Sequence, residues 1–307
     1  MPSTEMVEFL SLESVVSNRP LILVDAFGVF WGGEAVGLLP GALATFQKIK
    51  EQNTTIIIVS NSTRLADREV SKYSKAGLHL GEHYDLFVSS GQITRDAIVS
   101  CRLPFSTPRY KYWLYGDCHP QHGSPSQELF ENNLFSVTSS IEDADFIYCG
   151  IPHKNGCDQE SVDPFQEEIE ALVKTGLVML IANPDKTALE GRPSRPVVRQ
   201  GSIGALYQEA GGKVCYFGKP YPLIFEYIQK WAVKHLGLEA WKDAMIIGDN
   251  CETDICGGNR AGIDTALITD TGLATEPILT LGIERFLASL PMENRPKFLV
   301  SSFSILG

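Results

Sequence analysis

Five short apolar runs, each closed by a polar residue, constrain this chain more than any other feature. Residues 21–24 run into Asp25, 56–59 into Ser60 and Asn61, and 86–88 into Ser89 and Ser90. Further on, 245–247 run into Gly248 and Asp249, and 265–268 into Thr269 and Asp270. Unbroken rather than alternating hydrophobicity marks strands covered on both faces, as in a parallel sheet. Helical patterns lie between them, at 42–52, 64–77 and 221–236. Alternating strand and helix predicts an α/β fold, a doubly wound Rossmann-like core with right-handed crossovers. Ligands of such sheets sit beyond the carboxyl ends of the strands, where these polar residues collect.

The rhythm breaks in the middle. Apolar runs at 112–115, 146–149 and 177–181 are separated by turn-rich pieces at 119–126, 153–164 and 183–196. This predicts a core from residues 1–106 and 209–307, with 107–208 inserted as a small α/β domain. An insertion rooted at the ligand-binding edge of a sheet is placed to act as a cap over a substrate.

The net charge of -11 argues against nucleic acid as a partner, because phosphate-backbone binding relies on clustered Lys and Arg. A small phosphorylated ligand remains compatible, given a metal or a few focused cations. Seven cysteines, at 101, 118, 149, 157, 215, 251 and 256, form no CxxC pair and are odd in number. They read as reduced thiols of a cytoplasmic protein. No signal-peptide pattern opens the sequence, and no apolar run is long enough to span a bilayer, so no membrane partner is expected.

Four clusters carry chemistry. Asp25, at a strand end before the turn Ala26-Phe27-Gly28, presents a carboxylate to the crevice, although strand-end Asp residues also simply cap turns. Ser60-Asn61-Ser62-Thr63-Arg64 offers hydroxyls and backbone N–H groups at a strand-to-helix junction, which suits an anion or ordinary N-capping. Phe217-Gly218-Lys219-Pro220 places a point charge ahead of a helix that Pro can open. Gly248-Asp249-Asn250-Cys251-Glu252-Thr253-Asp254 sets two carboxylates close together, costly unless a cation neutralises them, and hard oxygen donors suit Mg²⁺.

Taken jointly, Asp, then Ser/Asn, then Gly-Lys-Pro, then Gly-Asp-x4-Asp resembles the haloacid dehalogenase superfamily, and more narrowly its NagD-like subclass IIA. Leu39-Pro40-Gly41, Ala182-Asn183-Pro184-Asp185 and the text from Thr253 to Gly262 support the narrow match. The resemblance implies a Mg²⁺-dependent phosphohydrolase in which Asp25 is the nucleophile and forms an aspartyl-phosphate. It implies that Ser60 and Lys219 hold the phosphoryl oxygens. Asp25, Asp249 and the backbone carbonyl of Phe27 would ligate the metal, and Asp254 would orient metal-bound water or Lys219. Asn61, Ser62, Asn183 and Asp185 would face a small phosphorylated substrate. For Asn183 and Asp185 a Pro-containing turn is an equal alternative. Caps of this kind often lie near subunit contacts in relatives, so the resemblance is compatible with a homo-oligomer, and the sequence leaves the oligomeric state open.

One departure matters. The family places a second Asp, the general acid and base, two residues after the nucleophile; here that residue is Phe27. General acid–base assistance is worth about 10²–10⁴-fold. Its loss falls hardest on alkyl phosphates and least on acyl, anhydride and aryl phosphates, whose leaving groups need little protonation. Asp185, His119, His122 or His153 is the candidate replacement, each histidine having exposed loop surface as its ordinary alternative. The competing readings are a phospho-ligand sensor without turnover and another reaction at phosphorus, such as phosphonate cleavage.

Overall fold

The computed structural model describes residues 7–116, 118–120, 122–190 and 195–305. In chain order the strands are β1 (Glu8–Phe9), β2 (Leu21–Val24), β3 (Thr55–Ser60) and β4 (Leu86–Ser89). Next come β5 (Lys111–Tyr115), β6 (Ser136–Val137), β7 (Phe146–Cys149), β8 (Val178–Ile181), β9 (Thr187–Glu190), β10 (Arg195–Val198) and β11 (Lys213–Tyr216). The chain closes with β12 (Met245–Gly248), β13 (Asp264–Ile268) and β14 (Phe298–Val300).

Two compact units result. The first comprises Met1–Ser60, Glu69–Val88 and Phe225–Gly307. Its seven-stranded sheet has the order β1-β14-β13-β12-β2-β3-β4. The pairs β1–β14, β14–β13, β13–β12, β12–β2 and β2–β3 are all parallel. All four residues of β2 are fully buried, as unbroken apolar runs require. Each such side chain contributes about 1.5–3 kcal/mol through burial. Helices such as Ala42–Glu51 and Pro222–Leu236 lie between the strands, the latter opening on Pro222 and not on Pro220, which stays in the turn ahead of it. The α/β, parallel-sheet expectation holds.

The second unit comprises Asn61–Arg68 and Ser89–Ile224. It holds a five-stranded sheet of order β11-β8-β7-β5-β6 and the antiparallel strand pair β9–β10. Ile147, Phe165, Ile169, Met179, Ile203 and Tyr207 fill its core. Strand β11 pairs in parallel with β8, so this sheet extends past residue 208, where the sequence reading ended the insertion. The reason is that only cross-strand pairing assigns a strand to a sheet, and pairing is not a local property of the 213–216 run.

Candidate active site

Strand β2 lies between β12 and β3, and the three run parallel. Their carboxyl ends therefore deliver Asp25, Asp249 and Ser60 to the same edge of the sheet. Asp25 continues the ladder, its N–H donating to Ile247 O at 2.9 Å. Asp254 follows within a short π-helical turn, Cys251–Ile255, that feeds the helix Cys256–Ala261.

Asp25, Asp249 and Asp254 are all buried, and each offers a carboxylate oxygen within 4.8 Å of the others. The convergence on which the sequence reading depends is thus present. Asp249 Oδ2 accepts from Leu273 N–H at 2.8 Å, and Asp254 Oδ2 from Asn250 N–H at 3.1 Å. Glycines allow this crowding. Gly28 and Gly272 both have left-handed φ, +75° and +79°. A Cβ at Gly272 would stand 2.5 Å from Asp249 Cβ and 2.6 Å from its Cγ, and one at Gly28 would stand 2.8 Å from that Cγ. Thr271 Oγ1 donates to Gly28 O at 2.5 Å, tying the two glycine turns together.

Phe27 sits in the tight turn after Asp25, where Ala26 O accepts from the N–H groups of Phe30 and Trp31 at 3.1 and 2.9 Å. Its ring, not a carboxylate, is what this position projects. Tyr73, packed on Phe30 and Trp31 of the same turn, is fully buried, and burial first, then the carboxylates of Glu69 and Asp25, push its phenol well above its ordinary value.

A second group of expected residues converges within the other unit. Asn61 Oδ1 accepts from Lys219 N–H at 2.8 Å, while its Nδ2 donates to Lys219 O at 3.0 Å and to Asp185 Oδ1 at 2.9 Å. Asn61 is thus a clamp joining the Gly-Lys-Pro turn to Asp185. Lys219 is itself buried, contrary to the solvated surface that is ordinary for a lone Lys. Asn183 Oδ1 accepts from Asp185 N–H at 2.9 Å, so this side chain holds the turn and thereby presents Asp185. Ser62 is also engaged locally: its Oγ accepts from Arg64 N–H at 3.3 Å and its carbonyl from Gly91 N–H at 2.9 Å.

The histidines differ from the exposed-loop alternative. His119 is buried and packs on His122 and His153, with ring centroids 4.6 and 5.1 Å away. Its Nε2 lies 3.3 Å from Asp158 Oδ1, and His122 Nε2 lies 3.8 Å from Glu190 Oε1. Arg199 bridges both carboxylates, at 2.7 Å to Asp158 and 2.9 Å to Glu190. Burial holds both imidazoles below their ordinary value of 6.5, outweighing the pull of Asp158 and Glu190. With a guanidinium already supplying the cation, the cluster reads as a polar core network. The spacing of His119 and His122 was its only local signal. A pairing that sequence reasoning missed is Lys72 with Glu69, beside Phe27 and without any motif to announce it.

Comparison with known proteins agrees with this fold. The model of the haloacid dehalogenase-like hydrolases matches residues 22–108, and a second, HAD-hydrolase-like model matches 216–302. The chain belongs to the haloacid dehalogenase-like hydrolases, and so to an enzyme family. Chronophin of Rattus norvegicus is 23% identical over 289 residues, covering 90% of this chain and 84% of chronophin. Among solved structures, a haloacid dehalogenase-like hydrolase from Brucella suis 1330 aligns with a TM-score of 0.73 at 23% identity, covering 96% of this chain and 98% of its own. NagD from E. coli K-12 shares the fold with a TM-score of 0.58 at 21% identity, covering 94% and 98%.

Proposed function

We propose that this chain is a Mg²⁺-dependent phosphohydrolase acting on small organic phosphates whose leaving groups depart with little protonation. The observation that carries the reading is the convergence of Asp25, Asp249 and Asp254, buried within 4.8 Å of one another at the carboxyl edge of a parallel sheet. Three buried carboxylates repel unless a cation joins them, and an all-oxygen donor set fits a hard divalent ion. Asp25, Asp249 and the Phe27 carbonyl would hold it, and when bound it supplies charge neutralisation for the phosphoryl oxygens.

The remaining roles belong to side chains. Asp25 attacks phosphorus and carries the phosphoryl group as an acyl phosphate, which water then cleaves. Ser60 and Lys219 offset charge on the transferring oxygens. Asp254, which accepts a hydrogen bond from Asn250 N–H, would orient metal-bound water or Lys219. Asn61, with Ser62, Asn183 and Asp185, forms the substrate-side set, supported by the hydrogen bonds that tie Asn61 to Lys219 and Asp185. With Phe27 at the position of the acid–base carboxylate, leaving groups that stabilise their own charge are favoured. No helix among the described residues is long and apolar enough to cross a membrane. A cytoplasmic, reducing setting is supported by the seven cysteines, odd in number and without a CxxC pair.

The test is phosphate release from acetyl phosphate, 4-nitrophenyl phosphate and a sugar phosphate, with and without Mg²⁺. Turnover of the first two that Asp25→Asn eliminates supports the reading. No turnover, together with thermal stabilisation by phosphate plus Mg²⁺, identifies a ligand sensor instead.

A further inference from the structure

Phe27 is 45% exposed, although Ala26, Val29 and Phe30 in the same turn are buried. Single exposed apolar residues are ordinary on protein surfaces. This one differs in being held from behind. The helix Ala66–Lys75 places Lys72 so that its Nζ lies 5.3 Å from the centroid of the Phe27 ring, 5.4 Å from Trp31 and 4.4 Å from Tyr73. The same ammonium pairs with Glu69, and the two side chains are only 12% and 1% exposed. Withdrawing such a pair from water is costly, and three ring faces help to compensate the cation. The result is a cluster of one ammonium, one carboxylate and three rings, largely buried except for Phe27. An exposed ring backed by a fixed ammonium offers its other face for contact.

We propose that Phe27 is a stacking platform for an aromatic leaving group, which makes aryl phosphates the substrate class of this site. The proposal rests on the phosphohydrolase reading and deepens it. As the bond from the Asp25 carboxylate oxygen to phosphorus forms, the bond from phosphorus to the aryl oxygen breaks. The electron pair leaves on that oxygen as a phenolate, which takes its proton from solvent. The departing ring becomes electron-rich in this step. Lys72, behind Phe27, offsets the negative potential of the Phe27 face, so stacking strengthens as charge develops. One substitution thus removes the acid and supplies a contact selecting substrates that do not need one.

The discriminating measurement is the ratio of kcat/KM for 4-nitrophenyl phosphate to that for acetyl phosphate, two good leaving groups of which one is a ring. The ratio is expected to fall about fivefold to tenfold in Phe27→Leu, the size of one stacked aromatic pair, and to stay within about twofold in Phe27→Tyr. Lys72→Met is expected to lower it by a smaller factor. An unchanged ratio in Phe27→Leu overturns the proposal. A parallel thermal-shift assay with Mg²⁺ compares phenylphosphonate with methylphosphonate and needs no turnover. Greater stabilisation by the phenyl compound, lost in Phe27→Leu, supports the platform; equal stabilisation of the wild type by both overturns it. If the wild type turns over neither substrate, the phosphohydrolase reading fails while this second assay still decides the platform.

Discussion

Replacing Gly272 by Ala perturbs the acidic cluster while every one of its ligating side chains stays chemically the same. Two costs arise. The left-handed φ of +79° penalises any Cβ by about 1–2 kcal/mol. The new Cβ also falls 2.5 Å from Asp249 Cβ and 2.6 Å from its Cγ, well inside contact distance, so Asp249 must shift. A shift breaks its 2.8 Å hydrogen bond from Leu273 N–H, a bond to a charged group worth about 1.5–3 kcal/mol. The expected loss is about 3 kcal/mol. Gly262→Ala isolates the first cost, because Gly262 has φ +72° with nothing within 4 Å of its would-be Cβ. That variant is expected to lose only about 1 kcal/mol, the lower end of the same backbone penalty. Urea denaturation followed by circular dichroism in EDTA measures both, and a Mg²⁺ titration by thermal shift should show weaker binding in Gly272→Ala alone. Equal losses in the two variants, with unchanged Mg²⁺ binding, would show that the glycine corner does not set the position of Asp249.

Further outcomes follow from the same geometry. Mg²⁺ at about 100 times its Kd should stabilise the wild type by about 2.7 kcal/mol, and Asp249→Asn should lose most of that gain in thermal denaturation. Phe27→Asp should raise kcat/KM on a sugar phosphate by about 10²-fold, the lower end of general acid–base assistance, as read by phosphate release. Because burial depresses the pKa of His119 and His122 below 6.5, their neutral forms favour the folded state. That contribution is complete above pH 6.5 and fades as pH falls through the depressed values. Urea midpoints measured from pH 7.5 to pH 5 should therefore decline, and less steeply in His119→Gln.

Much of the fold was legible because its signal is local. The runs ending at Asp25, Ser60 and Asp249 are hydrophobic without alternation, and that pattern already demands strands covered on both faces. The strand-end polar residues followed at once, since a parallel sheet gathers its carboxyl ends on one edge. Strand β11 lies beyond the 107–208 bounds of the insertion because 213–216 is short and nothing local in it distinguishes one sheet from another. The two-residue edge strand β1 gave too short a run to be seen at all.

The site divides in the same way. Sequence alone determined which carboxylates are available, their order along the chain, and that Phe27 stands where an acid was expected. Tertiary structure decided that His119 is buried beside Asp158, that Asn61 clamps Lys219 and Asp185, and that Lys72 lies behind the Phe27 ring. The physical reason is range. Periodicity and turn chemistry are written within a few residues of each other, whereas burial and ion pairing depend on which distant segments the packing brings into contact.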